Sequence, residues 1–154
     1  MTAAHVHALL RARGETVAVA ESLTGGLLSD ALVEPPGASL TFRGGFIVYA
    51  TELKTTLAGV PADLLDERGP VDGDVARLLA KGARDRCEAD WGLATTGVAG
   101  PEPQAGQPPG TVWIGLAGPD GARAEKLDLG GTRDDIRRTT VDRALEYLAA
   151  ALVG

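Results

Sequence analysis

The chain has 154 residues, a formal net charge of −6, one cysteine and 21 glycines, with few aromatics. A chain of this length fits one domain and buries roughly 70% of its unfolded surface, enough for a core without staples. The lone Cys87 rules out an internal disulfide and fits a reducing compartment, while the acidic balance argues against a general nucleic-acid binder. No signal-peptide core and no run of membrane-spanning length is visible, so the expectation is a cytoplasmic, soluble domain over residues 1–154 that engages neither membrane nor nucleic acid.

Thr2 caps a predicted helix that carries Val6, Leu9 and Leu10 on one face and stops at Gly14. His5 and His7 fall on different faces of it and read as surface residues. A strand follows over Thr16–Ala20, and a helix over Thr24–Val33 is broken by Pro35-Pro36. Gly44-Gly45 introduces a second strand, Phe46–Ala50, and Thr51 caps a short helix holding Leu53 and Leu57. Pro61 starts another short helix that ends near Arg68. Asp72 caps a longer one with Val75, Leu78, Leu79, Ala83 and Cys87 at helical spacing, where Cys87 reads as a small core hydrophobe.

Trp91–Thr96 reads as a buried strand, and Gly97–Gly110 as a Gly/Pro-rich loop of a length that tends to be functional or mobile. Thr111–Ala117 and Ala122–Leu129 flank the turn Gly118-Pro119-Asp120-Gly121 as an antiparallel hairpin. Thr132-x-x-Asp135 resembles a capping box and opens a last helix with Ile136, Thr140, Ala144, Leu145, Leu148 and Leu152 toward the core. This order implies the α/β class, a three-layer α/β/α domain with a mixed sheet.

The run Glu21-Ser22-Leu23-Thr24-Gly25-Gly26 joins the first strand to the second helix. Ligands in open α/β sheets bind outside the carboxyl ends of strands, and glycines there let a substrate approach the backbone. Ser22 is therefore a candidate nucleophile, although a Ser or Thr at this place is also the ordinary N-cap of a helix. With Thr51 as N-cap, Lys54 is the third helical residue, where the helix dipole opposes its charge and lowers its pKa, as suits a general base. Tyr49 ends the preceding strand at the same sheet edge. The plain structural reading makes Lys54 a solvated surface residue and Tyr49 a packing residue. Thr96, Gly97, Ala99 and Gly100 end another strand and form a second loop able to approach a ligand. One Cys and two His offer no metal set, and no cofactor is implied.

Together these pieces resemble the C-terminal domain family of the competence/damage-inducible protein CinA, which also occurs alone as nicotinamide-nucleotide amidase. The matching motifs are Ala20-Glu21-Ser22-x-Thr24-Gly25-Gly26, Gly44-Gly45-x-x-x-Tyr49-x-x-x-x-Lys54-x-x-x-Leu57-x-Gly59-Val60 and Gly69-Pro70-Val71-x-x-x-Val75-Ala76. They continue as Gly82-Ala83-Arg84, Thr96-Gly97-Val98-Ala99-Gly100-Pro101 and Pro109-Gly110-Thr111-Val112, so that the resemblance covers nearly the whole chain.

The resemblance implies metal-free deamidation of nicotinamide mononucleotide (NMN), with Ser22 as nucleophile and Lys54 and Tyr49 moving its proton. Which of the two is the proximal base is left open. The backbone near Thr24, Gly25 and Gly26 is the candidate oxyanion hole, and Arg43, Arg133, Arg137 or Arg138 could contact the 5′-phosphate. The chain departs from the family at Leu23, where a cysteine is usual, and at Asp72, where a serine is frequent. It departs again in Glu102–Pro108, which lacks the usual Gly-Gly and Lys-Pro. That loop keeps two alternatives open: an idle pyridine-nucleotide-binding or regulatory domain, and an amidase for another amide. A homo-oligomer is also implied, a dimer being the commonest closed form.

Overall fold

The computed structural model describes residues 2–154. Helix α1 (Thr2–Arg13) leads into β1 (Val17–Glu21), α2 (Leu27–Val33) and, after a 3-10 turn at Ala38–Leu40, β2 (Phe42–Ile47). Helices α3 (Thr51–Thr56), α4 (Ala62–Arg68) and α5 (Gly73–Arg86) precede β3 (Trp91–Gly97). The hairpin of β4 (Thr111–Gly118) and β5 (Gly121–Asp128) is followed by α6 (Arg133–Val153). Asp72 caps α5 through the N–H groups of Asp74 and Val75, and Thr132 with Asp135 forms the capping box of α6. Among the described residues no helix is long and apolar enough to cross a membrane.

The sheet has the order β2-β1-β3-β4-β5. β1 lies between parallel partners β2 and β3, while β4 and β5 run antiparallel. The chain steps from β1 to β2 on one side, then crosses back to β3 on the other. The carboxyl ends of all three parallel strands thus open on one edge, at a reversal of strand order, which is where α/β sheets bind ligands.

Alternation along β1 decides the two faces. Val17 and Val19 enter a core with Val6, Leu10, Leu93, Ile114 and Leu148, beneath α1 and α6. Ala18 and Ala20 enter a second core with Val75, Leu79, Ala83, Ala94 and Ala117, beneath α5. That second face is built of small residues, so α5 lies close to the sheet: a Cβ on Gly92 would sit 1.9 Å from Ala80 O, and one on Gly115 2.0 Å from Ala76 O.

Several sequence expectations change. Strand β2 begins at Phe42 and ends at Ile47, not Phe46–Ala50, and carries the glycine pair in its interior. Gly45 pairs with Val19, where a Cβ would lie 2.0 Å from the Val19 carbonyl oxygen, so the glycine serves close strand approach inside the strand instead of introducing it. Helix α2 starts at Leu27 rather than Thr24, because Gly25 (φ 53°) and Gly26 (φ 108°) are left-handed. Thr51 is the first helical residue of α3 and Ala50 its N-cap, and Thr2 is already helical in α1.

His7 is fully buried rather than at the surface. Its Nε2 donates to Leu32 O at 2.7 Å, which leaves Nδ1 to accept from the Thr41 hydroxyl, and the imidazole ties α1 to α2 and to the start of β2. Its i, i+3 neighbour Leu10 shares that buried face. His5 is exposed. Cys87 caps the end of α5, half-buried against the second core, and burial pushes its thiol pKa up.

Candidate active site

Ser22 is the first residue after β1. Its N–H donates to Thr95 O at 3.0 Å, so the neighbouring strand β3 fixes its height at the sheet edge. On the other side Val48 N–H donates to Glu21 O, the last such tie before the chain leaves the sheet toward α3. These two anchors place the start of α3 beside the Ser22 turn.

Lys54, on α3, is 1% exposed and reaches back between them. Its Nζ donates to Ser22 Oγ at 3.0 Å, to Val48 O at 2.7 Å and, at the limit of contact, to Tyr49 O at 3.5 Å. No carboxylate lies within ion-pair distance among the described residues. Burial lowers its pKa to about 8, partly offset by the Glu52 carboxylate. The direction is the one expected from the helix dipole with desolvation adding to it, and desolvation is the main cause. An ammonium has three N–H donors and here three acceptors. The neutral amine keeps two N–H groups for the two carbonyls, and its lone pair then faces the Ser22 O–H.

Tyr49 is 61% exposed and lies two residues past the end of β2. Its phenol oxygen accepts from Arg133 Nη2 at 3.3 Å. Lys54 is therefore the group in contact with Ser22, and Tyr49 stands on the Arg133 side. Arg133, the first residue of α6, also donates from Nη1 to Gly100 O at 2.6 Å. A cavity of about 400 Å³ opens between these groups. Ser22, Lys54, Tyr49 and Arg133 line it, together with Thr96, Gly97, Ala99 and Gly100 from the second loop. Pro70 and Val71 form its floor beside Thr96, whose hydroxyl donates to Pro70 O at 2.6 Å.

Thr24, Gly25 and Gly26 take a different place from the one expected. Gly25 N–H donates to Ser22 O at 3.1 Å, and Gly26 N–H to Glu21 Oε1 at 3.2 Å, so neither is free for an oxyanion. The Thr24 side chain is buried, with its hydroxyl 2.8 Å from that of Thr95. Among the described residues, the N–H groups of Leu23 and Thr24 meet no protein acceptor, and Leu23 lines the cavity.

Glu21 was missed from sequence. Fully buried, it accepts from the N–H groups of Gly26, Leu28 and Ser29 and from the Ser29 hydroxyl, and so caps α2 from the end of β1. A carboxylate immediately before the Ser22 turn, followed by a helix without a capping side chain of its own, was the available signal. Of the four arginines, only Arg133 lines the cavity. Arg137 donates to Leu23 O and Thr24 O, Arg138 pairs with Asp134 on the surface, and Arg43 donates to Cys87 O at the end of α5. Among the described residues no three His, Cys, Asp or Glu side chains group to hold a metal ion.

The loop from Glu102 to Pro108 folds into a small hairpin in which Gln104 and Gln107 exchange backbone hydrogen bonds at 3.0 and 2.9 Å. Ala105 (φ 51°) and Gly106 (φ 74°) form its tip. Glu102 and Gln104 border the cavity.

The family model for the CinA C-terminal domain matches residues 1–152. A CinA-like protein of Frankia casuarinae is 50% identical over 146 residues, covering 95% of this chain and 34% of that protein. A CinA-like protein of Gloeobacter violaceus is 47% identical over 149 residues, covering 95% and 35% respectively. The chain thus spans about a third of the length of the curated relatives it matches. Among solved structures, competence/damage inducible protein CihA from Agrobacterium tumefaciens superposes with a TM-score of 0.94 at 34% identity, covering 99% of this chain and 94% of that one. A CinA superfamily protein from Klebsiella pneumoniae gives a TM-score of 0.95 at 27% identity, covering 99% and 96%.

Proposed function

The chain belongs to the CinA C-terminal domain family, and on that premise we propose that it is an amidohydrolase that deamidates nicotinamide mononucleotide to nicotinate mononucleotide and ammonia. The observation that carries the reading is the contact of Lys54 Nζ with Ser22 Oγ at 3.0 Å, desolvated and at the wall of a cavity of about 400 Å³. A serine hydroxyl needs an adjacent base to attack an amide, and a lysine with a pKa of about 8 is neutral in a useful fraction of molecules.

Neutral Lys54 takes the Ser22 proton as Oγ bonds to the carboxamide carbon. The resulting oxyanion is met by the unengaged N–H of Leu23, with that of Thr24 beside it. As the C–N bond breaks, the Lys54 ammonium returns the proton to the leaving nitrogen, which departs as ammonia. Tyr49, held by Arg133, assists from the other wall. A water that Lys54 then deprotonates attacks the acyl ester, and Ser22 recovers its proton as the acid leaves. Among the described residues Arg133 has no carboxylate within ion-pair distance, and it lines the cavity, so it is the residue offered to the 5′-phosphate.

Glu102 and Gln104 at the cavity border support a second reading, an amidase for another amide. Ammonia release from the purified protein with NMN, beside Ser22→Ala, tests the proposal. Release by wild type alone is expected. Release by both overturns Ser22 as nucleophile, and release by neither, from folded protein, overturns NMN as substrate.

A further inference from the structure

Arg137 lies on α6, next to the buried Ile136, and its guanidinium grips the nucleophile turn from outside the cavity. Nε donates to Leu23 O at 2.9 Å and Nη2 to Thr24 O at 3.2 Å. No carboxylate among the described residues pairs with it, so these successive carbonyls are the acceptors that hold it. We propose that Arg137 is a positioning residue that orients the peptide planes of residues 22–25 and thereby keeps the Leu23 and Thr24 N–H groups available to the oxyanion. This rests on the amidase reading above.

Peptide planarity carries this grip along the turn. In a trans peptide the C=O and the next N–H point in opposite directions. Holding Leu23 O toward Arg137 turns the Thr24 N–H away from it. Holding Thr24 O there turns the Gly25 N–H away as well, and that N–H donates to Ser22 O at 3.1 Å. Ser22 O, so engaged, turns the Leu23 N–H outward in its turn. Arg137 thus holds the Leu23 carbonyl and shares the Thr24 carbonyl with the Leu27 N–H, which donates to it at 2.9 Å, while the Gly25 N–H holds that of Ser22; gripping two successive carbonyls at once is a task to which an ammonium is poorly suited. Gly25 fits the same arrangement: its φ is 53°, and a Cβ there would come within 3.3 Å of Arg137 Nη2.

The test compares wild type, Arg137→Ala and Arg137→Lys by NMN kinetics and by amide hydrogen exchange at Gly25, resolved by NMR. In Arg137→Ala, kcat is expected to fall about tenfold to a hundredfold, short of or equal to the loss of one oxyanion donor, with KM within about threefold. Gly25 loses protection, guanidinium ion added below denaturing concentration restores part of kcat, and Arg137→Lys falls between the two. Retained kcat, or a loss carried by KM, overturns the proposal. Should Arg137→Ala fail to fold, Arg137→Lys carries the same comparison. Should wild type not turn over NMN, the amidase reading fails separately. Gly25 protection then decides alone: its loss in the variant upholds the positioning role, and unchanged protection overturns it.

Discussion

Lys54 and Ser22 are 32 positions apart in sequence and meet at 3.0 Å because backbone hydrogen bonds fix both of their supports. Ser22 hangs from β3 through Thr95 O, and Lys54 hangs from Val48 O on a segment itself tied to Glu21 O. Among the described residues the lysine has no carboxylate within ion-pair distance, and its position is set by carbonyls that bind its N–H groups in either protonation state.

The first prediction concerns activity and pH. With the Lys54 pKa lowered to about 8, the reactive neutral form is roughly a tenth of the population at pH 7 and grows to the majority above pH 8. The rate kcat/KM for NMN should rise across pH 7–9 and level off above it. Lys54→Arg, which cannot lose its proton, should be lower by a factor of about a thousand or more. A flat profile in wild type removes Lys54 from the proton transfer.

The same shift acts on stability. The unfolded chain binds the Lys54 proton up to the ordinary lysine value of 10.5, and the folded chain releases it at about 8. Between these values the unfolded state holds more protons, so stability rises with pH there; below pH 8 the buried ammonium costs about 3 kcal/mol. Denaturant melts at pH 7 and pH 10 should show wild type gaining relative to Lys54→Met, in which this step is absent. An identical pH dependence in the two proteins contradicts it.

A third prediction separates binding from chemistry at the mouth of the cavity. Arg133→Ala should raise KM for NMN about tenfold or more with a smaller loss in kcat from releasing Tyr49, and the phosphate-free nicotinamide riboside should show only that smaller loss. Equal losses on both substrates would mean that Arg133 acts only by holding Tyr49 and Gly100.

Most of the element order was legible in sequence because its signals are local. The capping box at Thr132 and Asp135, the cap at Asp72 and the Gly118–Gly121 turn each declare themselves within four residues. The expectations that moved were those with a non-local cause. Gly44-Gly45 looks like punctuation, yet Gly45 is a strand residue whose missing Cβ makes room for the Val19 carbonyl. His7 looks solvated until Thr41 and Leu32 O close around it. In the candidate site, the residue types at 22, 49 and 54 were legible, but the contact of Lys54 rather than Tyr49 with Ser22 was not. It depends on the chain leaving the sheet at Ile47, one residue before Val48 offers its carbonyl. Arg137 was legible only as a charge, since its partners are backbone oxygens 113 and 114 positions away.

The close seat of α5 yields a fourth prediction. Gly115→Ala places a Cβ 2.0 Å from Ala76 O, a backbone atom that cannot step aside without lifting the helix. The expected loss is about 3 kcal/mol or more, read as a lower denaturation midpoint at constant slope. Gly130→Ala, with nothing within 4 Å of the added carbon, should be neutral within about 0.5 kcal/mol and serves as the control.

Helix α6 contributes Ile136, Ala144, Leu145 and Leu148 to one core, while its first two turns send Arg133 to the cavity and Arg137 to the nucleophile turn. Packing and reactivity therefore share one rigid rod. A shift of that rod along its axis, too small to unseat any leucine, would move both guanidinium groups together and retune grip and turn geometry at once. Sequence changes deep under α6, far from Ser22, are accordingly expected to register in turnover before they register in folding.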